Sequence, residues 1–126
     1  MMEQLKLKKR APKSEITKKR NEMLIIIFKK YYLEHNYNPR EFSIYDLQSQ
    51  TSKSINEIRE ALKFFYKKEI LTKVKRQHPY KNGTLYFYSL TQEACQAIQE
   101  LLEKYSNKIS DITYVAILRK YGRKNF

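Results

Sequence analysis

The sequence predicts an α+β fold that is mostly helical and contains one two-stranded hairpin. Several segments repeat apolar residues at helical spacing. One of them, residues 54–68, opens on a Ser-x-x-Glu box, a strong signature of a helix N-terminus. Residues 73–90, KVKRQHPYKNGTLYFYSL, indicate the hairpin, because two strand-like segments flank an Asn-Gly pair. Helices are therefore expected before and after a single small sheet.

The chain has 126 residues, the length of one domain, and 41% of them are apolar, enough for a modest core. Its longest apolar run, MLIIIF at 23–28, is far shorter than the roughly 18 residues that suggest a membrane span, and two lysines follow it. The basic N-terminus is not followed by a signal-peptide pattern. We therefore expect a cytoplasmic protein without a membrane segment.

The net charge of +13 is unevenly distributed. Residues 1–20 carry +6, residues 72–90 carry +4 without any acid, and residues 111–126 carry +3, while the rest balances ten bases against ten acids. A surface shaped only by solubility would mix the two signs throughout. Three basic segments around a neutral body indicate a polyanionic partner, with nucleic acid as the first candidate and an anionic membrane surface as the second.

The pattern divides the chain into three parts. Residues 1–14 lack an apolar period and contain Pro12, which predicts a flexible basic arm. Residues 15–110 form the domain, which includes a helix at 91–105. Residues 111–126 form a last helix, from about 111 to 120, and a basic tail.

Three helices are predicted before the hairpin. The first, at about 15–35, has apolar residues on two faces, which is typical of a helix between two neighbours or at a dimer contact. A short helix follows Ser43, which can cap it, and a turn then leads to the helix at 54–68, where Ser54 and Glu57 form the capping box. A short helix, a tight turn and a longer amphipathic helix make a helix-turn-helix candidate.

The hairpin is predicted to pair residues 70–78 with residues 85–90. Alternation places Lys73 and Lys75 on one face and turns Val74 toward the core. The pair Asn82-Gly83 is expected to supply the positive backbone dihedrals of a tight turn. Thr91 then caps the next helix.

Two segments resemble winged helix-turn-helix proteins of the MarR-like and PadR-like families. They are SIYDLQSQTSKSINEIREALKFFYKKEILTKVKR and LYFYSLTQEACQAIQELLEKY, and in those families the second closes the wing and begins a dimerisation helix. A weaker likeness is to the Bacillus replication terminator protein, although Glu69 stands where such proteins often have glycine before the wing. The resemblance covers about residues 22–105. It implies a winged helix with a two-stranded wing and a C-terminal dimerisation helix.

In such a fold the helix at 54–68 would enter the DNA major groove. Asn56 could pair with adenine from the first turn, Lys53 could reach a phosphate, and Glu60 could accept from a cytosine amino group. Arg59 and Lys63 could reach a base or the backbone. The alternative is an ordinary solvated face on which Glu60 and Lys63 pair. The predicted DNA contacts of this helix are Lys53, Ser54, Asn56, Arg59, Glu60 and Lys63.

The wing is expected to contact DNA through its basic side chains, because no acid occurs over residues 72–90. The alternative is an edge whose lysines discourage strand pairing. Whether the tip, Tyr80 to Gly83, enters a groove or follows the backbone stays open. The predicted wing contacts are Lys73, Lys75, Arg76, Tyr80, Lys81 and Gly83.

No enzymatic pattern is present in the sequence. A glycine-rich phosphate loop needs more than two glycines, and His35, His78 and Cys95 have no triad or metal-site spacing, so we expect no catalysis, metal or cofactor. Cys95 is expected to be a buried small apolar side chain. The predicted dimer interface consists of Ile98, Leu101, Leu102, Tyr105 and Leu118.

These patterns together predict a dimeric, sequence-specific, double-stranded DNA-binding protein. Transcriptional regulation, usually repression, is the most frequent use of such a module. A plasmid or viral replication or partition protein that binds repeated sites would have the same features. A winged-helix protein-interaction module with an acidic partner is the third alternative. The sequence gives no information on an effector ligand.

Overall fold

The computed structural model describes residues 13–104 and 108–124. It is an α+β structure, mostly helical, with one two-stranded antiparallel sheet, as the sequence predicts. The elements in chain order are α1 (Lys13–Tyr31), α2 (Ile44–Gln48), α3 (Ile55–Lys67), β1 (Leu71–Gln77), β2 (Thr84–Leu90), α4 (Gln92–Lys104) and α5 (Tyr114–Lys124). Short 3-10 turns follow α1 and precede α5.

One hydrophobic core joins all of these elements. The helix α1 is apolar on two sides, as predicted, because it lies among its neighbours: Leu24, Ile27 and Phe28 are buried, and Ile26 packs partly against the core, as does Leu33 in the 3-10 turn that follows. Each remaining element also contributes buried side chains, among them Leu47, Ile58, Leu62, Phe65, Leu71, Leu90, Ile98 and Ile117.

All three predicted helix caps are present. Thr91 Oγ1 accepts from the backbone N–H of Ala94 over 3.1 Å at the start of α4, and the other two caps are capping boxes. The Ser43 hydroxyl accepts from the backbone N–H of Asp46, and the Asp46 carboxylate accepts from the backbone N–H of Ser43. Ser54 and Glu57 form the same reciprocal pair at the start of α3. Each box satisfies two backbone donors that a helix N-terminus leaves unpaired. The segment that begins at Ser43 therefore folds as a short helix and a turn, and a longer helix begins after Ser54.

A backbone bridge ties the hairpin to the body. Phe42 exchanges two hydrogen bonds with Tyr88, of 2.9 and 2.8 Å, along the edge of β2 away from β1. The Phe42 ring is buried and stacks on Tyr31, with ring centroids 4.6 Å apart. The sequence analysis did not single out Phe42. Its position could have been a signal, since a hydrophobic residue just before an N-cap commonly packs against the fourth helical residue, here Leu47.

The structure corrects several predicted details. The first helix ends at Tyr31 and not near 35, because the chain turns there into a 3-10 turn and a left-handed Asn36. The last helix begins at Tyr114 and not at 111, since a 3-10 turn precedes it. Val74 does not face the core: it is 39% exposed, because the hairpin projects beyond the body at this point.

The hairpin turn also differs from the prediction. Gly83 has a positive φ of 105°, but Asn82 is not among the described residues with positive φ. Only one residue of the predicted Asn82-Gly83 pair therefore supplies a positive φ. The backbone N–H of His78 donates to the Gly83 carbonyl over 2.9 Å and closes the loop, which the sequence places between the strands at 79–84.

Glu69 occupies a position that glycine usually fills. It has a φ of +62° and follows the C-cap of α3, where its N–H donates to the Tyr66 carbonyl and the Ile70 N–H donates to the Phe65 carbonyl. These two bonds form a complete Schellman motif. The turned Glu69 carbonyl accepts from the hydroxyls of Thr91, at 2.8 Å, and Tyr121, at 3.0 Å. The chain thus keeps the left-handed cap despite the strain of a Glu side chain.

Replacing Glu69 with glycine should stabilise the protein. Glycine relieves a left-handed strain of about 1–2 kcal/mol and loses part of it to chain entropy, so we expect a net gain of about 0.5–1 kcal/mol. The carbonyl that accepts from Thr91 and Tyr121 belongs to the backbone and is retained. Thermal unfolding measures the change. Lys68→Gly is the matched control, because Lys68 has a φ of −86° and glycine should not stabilise it. If the Tm of Glu69→Gly is equal to or lower than that of the wild type, the left-handed backbone at Glu69 is not strained.

Candidate nucleic-acid interface

The exposed face of α3 carries a stripe of side chains, Asn56, Arg59, Lys63 and Tyr66, which we call the α3 stripe. Their spacing of three, four and three residues places them along one side of the helix. Arg59 Nη1 donates to Asn56 Oδ1 over 3.0 Å, so these two residues are already oriented toward each other. The Asn56 oxygen has a second lone pair, and its amide N–H groups can also donate.

The other edge of α3 faces α1 across a groove of about 400 Å³. Asn56 and Glu60 line this groove together with Lys19 and Lys53. One ion pair bridges the two helices, Lys19 Nζ to Glu57 Oε2 at 3.1 Å. A second joins α1 to the turn before α3, Lys53 Nζ to Glu22 Oε1 at 3.5 Å. Glu60 therefore lies on the α1 side of α3.

These contacts change the roles available to two of the predicted contacts, Lys53 and Ser54. The Lys53 side chain is largely covered and bonded to Glu22, and the Ser54 hydroxyl is occupied by its cap. The capping bond from the Ser54 N–H, followed by the Lys19 side chain, lowers the pKa of Glu57. Within the described residues, Glu60 and Lys63 do not form the ion pair that the alternative interpretation expects.

The hairpin presents a basic face beside the α3 stripe. Lys73 pairs with Tyr88 and Lys75 with Tyr86 in the strand register, so all four side chains share one face. Lys73 Nζ lies 4.3 Å from the ring centroid of Tyr66 on α3 and 4.5 Å from that of Tyr86. Lys75 Nζ lies 5.5 Å from Tyr86. Each such cation–π contact contributes about 0.5–1 kcal/mol at an exposed site.

The charge of Arg59 on α3 also acts on the hairpin. Burial raises the pKa of Tyr88 on β2, and the positive charge of Arg59 offsets part of that rise. Tyr88 itself packs on Phe42 of the core, with ring centroids 6.1 Å apart. The α3 stripe and the Lys73–Lys75 face therefore form one continuous surface.

Arg76 lies on the opposite face of the hairpin and is already paired. Its Nε and Nη2 donate to the two carboxylate oxygens of Glu41, at 2.9 and 2.7 Å. The hydrogen bond to Arg76 lowers the pKa of Glu41. The hairpin contains no acid in sequence, but the fold supplies one from the segment before α2. Arg76 is one of the four predicted basic contacts of the hairpin, and its charge is thus compensated by Glu41.

The hairpin tip is exposed. Tyr80 is 90% accessible, and Lys81 and Gly83 are also exposed. The Tyr80 N–H donates to His78 Nδ1 over 3.1 Å, and the His78 ring lies 6.1 Å from Tyr45 of α2. His78 Nε2 is buried and has no hydrogen-bond partner among the described residues. The tip is therefore fixed to its own strand through His78.

The chain matches no protein-family model, no curated protein and no solved structure. Its fold and surface must therefore be interpreted from their own geometry.

The predicted dimer residues are distributed differently. Ile98 and Leu101 are buried in the hydrophobic core of the single chain and are therefore not exposed to a partner. Leu102 and Leu118 are half-buried and retain surface for a second chain. Tyr105 lies outside the described residues, as do residues 1–12 of the predicted arm.

Cys95 is buried, as predicted, and burial raises the pKa of its thiol to about 11, so it is protonated at neutral pH. No three His, Cys, Asp or Glu side chains lie close enough to bind a metal ion together within 13–104 and 108–124. In the same ranges, no helix is long and apolar enough to cross a membrane.

Proposed function

We propose that the chain is a winged helix-turn-helix protein that binds double-stranded DNA sequence-specifically and regulates transcription as a dimer. The order of elements supports this: a capped short helix, a capped longer helix and a hairpin follow one another directly. In the proposal, α3 is the recognition helix and the hairpin is the wing.

The observation that carries the proposal is the shared surface of α3 and the hairpin. Tyr66 of α3 and Lys73 of β1 are in contact, and Lys75 lies on the same face of the hairpin as Lys73. Helical spacing places Arg59 and Lys63 on the same side of α3 as Tyr66. A surface with cations on both a helix and a strand suits a duplex, which presents base edges in the groove and phosphates at its rim.

In this arrangement the residues have different roles. Asn56 is placed to pair with adenine from the start of the helix, while Arg59 reads a base or holds Asn56. Lys63 and Lys75 contact phosphates, which fix orientation without reading sequence. Lys53 and Arg76 serve the fold through Glu22 and Glu41 until DNA displaces those carboxylates.

Binding to duplex DNA as a function of salt tests the proposal. Contacts to several phosphates predict an affinity that falls by orders of magnitude between about 50 and 200 mM salt. Selection from a random duplex pool should return a pseudo-palindrome with half-sites about 34 Å apart, if two copies bind. A protein that binds no duplex even at low salt would favour an interaction module instead, and a sedimentation mass of one chain at micromolar concentration would exclude a stable dimer.

Asn56→Ala should reduce discrimination at one base position by about 1–3 kcal/mol. Affinity for random duplexes should change little, because Asn56 carries no charge. Competition between the selected site and its single-base variants measures the effect. Gln48→Ala is a control on α2, outside the proposed surface, where an exposed amide is also removed. Unchanged base preference in Asn56→Ala would remove this residue from the reading role.

A further inference from the structure

The joint between α3 and the hairpin contains a lysine held between two tyrosine rings. Lys73 Nζ is 4.3 Å from the Tyr66 centroid and 4.5 Å from the Tyr86 centroid. We call these three residues the tyrosine clamp. Lys73 is half-buried, although it belongs to a strand whose next four residues are exposed. The ammonium group of Lys73 therefore lies close to two rings, whereas that of Lys75 lies 5.5 Å from a single ring.

Both rings of the clamp are exposed to solvent. Tyr66 is 44% and Tyr86 41% accessible. Among the described residues neither hydroxyl has a hydrogen-bond partner, whereas the hydroxyls of Tyr32, Tyr114 and Tyr121 bond to Gln99, Thr17 and Glu69 respectively. The clamp thus fixes two rings at the surface and leaves their hydroxyls unused.

Positive charge flanks the clamp on both elements. Lys63 lies one turn before Tyr66 on the α3 stripe, and Lys75 lies opposite Tyr86 on the hairpin. A groove beside Tyr66 is of mixed charge, since Lys67, Glu69 and Glu93 line it. An anion that approaches the two hydroxyls is therefore attracted by Lys63 and Lys75.

We propose that the DNA backbone crosses the clamp, that the hydroxyls of Tyr66 and Tyr86 donate hydrogen bonds to phosphate, and that Lys73 positions the two rings. This rests on the proposed function and adds two contact residues to it. It also changes the role of Lys73 from a free phosphate ligand to a positioning residue. Tyrosine hydroxyls are among the groups that bind phosphate oxygens without reading sequence.

The double variant Tyr66→Phe/Tyr86→Phe tests the hydroxyls, since it keeps both rings. Each lost bond to a phosphate should weaken binding about tenfold. The loss should be equal on selected and random duplexes, because phosphate contacts carry no sequence information. The slope of log affinity against log salt should not change, as no charge is removed, whereas Lys75→Gln should reduce it by about one. Tyr37→Phe, an exposed tyrosine outside the basic surface, is the matched control.

Lys73 is tested in two backgrounds. If it acts through the rings, Lys73→Met should weaken binding about tenfold in the wild type but at most about threefold in the double Phe variant, because contacts that act as a unit are not additive. Lys73→Arg should restore binding, since a guanidinium also stacks on aromatic rings. An equal loss in both backgrounds would make Lys73 a direct phosphate ligand and refute the positioning role.

The outcomes separate this inference from the proposed function. If the wild type binds duplex DNA and the double Phe variant binds equally well, the clamp contact is refuted and the proposed function stands. If the wild type binds no duplex at any salt concentration, both are refuted. Equal thermal stability of the wild type and the variants is checked first, so that a loss of affinity reports on binding alone.

Discussion

Substituting glutamine for both Lys63 and Lys75 should weaken binding to duplex DNA by about a hundredfold or more at roughly 100 mM salt. Charge-assisted contacts to phosphate are stronger than neutral hydrogen bonds, and each is worth about 1.5–3 kcal/mol. Both residues are exposed, and neither forms an ion pair with a described acid. Their charge is therefore available to a ligand, unlike that of Lys53 or Arg76.

The salt dependence gives the more specific test. Each phosphate contact contributes close to −0.9 to the slope of log affinity against log salt, so the double variant should lose about two units of slope. Equilibrium titrations of a fluorescent duplex at several salt concentrations measure it. The double variant should lose affinity on selected and random duplexes alike, because neither lysine is assigned to a base.

Lys29→Gln/Lys30→Gln is the matched control. It removes the same two charges from the end of α1, where Lys30 pairs with Glu34 at 3.7 Å outside the proposed surface. Net charge alone would weaken both double variants equally. A loss of affinity in the control as large as in Lys63→Gln/Lys75→Gln would mean that binding depends on overall charge, and the assigned surface would be wrong.

The helix caps show what this sequence reveals about its own fold. Ser54 and Glu57 are three residues apart, and their reciprocal bonds depend on local backbone geometry alone. The hairpin is equally local, since its two strands are joined directly. Such features can be predicted from the sequence because the interacting residues are neighbours in the chain.

The ion pairs of the basic residues could not be predicted from the charge pattern of the sequence. Residues 72–90 contain no acid, which suggested four free cations, but Glu41 reaches Arg76 from 35 positions away. Lys53 likewise pairs with Glu22, 31 positions away. The clamp also depends on the contact between Tyr66 and Lys73, and this contact requires α3 to end where it does. A charge count along the chain cannot include such pairings, because tertiary packing creates them.

Glu69 illustrates a conflict between a local rule and the fold. Glutamate is a poor residue for a left-handed cap, so the sequence suggested a weaker match at the end of α3. The Schellman motif forms nonetheless, because the carbonyl of Glu69 receives two hydroxyl donors and Ile70 is buried. Tertiary contacts therefore outweigh a local cost of about 1–2 kcal/mol.

Phe42→Ala should be the most destabilising of the substitutions considered, at about 3–5 kcal/mol. Phe42 is buried, stacks on Tyr31 and packs near Tyr88, so its removal leaves a cavity between α1 and β2. Since small domains unfold with about 5–15 kcal/mol, this loss is a large part of the total. Denaturant unfolding measures it, and Phe42→Leu is the control, which keeps most of the apolar volume and should cost about 1–1.5 kcal/mol.

The same variant should loosen the hairpin selectively. The ring of Phe42 holds in place the backbone that exchanges hydrogen bonds with Tyr88, and Glu41 beside it holds Arg76. In native-state hydrogen exchange, the amides of Phe42 and Tyr88 should lose more protection in Phe42→Ala than the amides in the middle of α4. Uniform loss of protection would mean that the hairpin and the body open as one unit. A destabilisation below about 1 kcal/mol would show that Phe42 does not anchor the sheet, and the position of Lys73 beside Tyr66 of α3 would then require another cause.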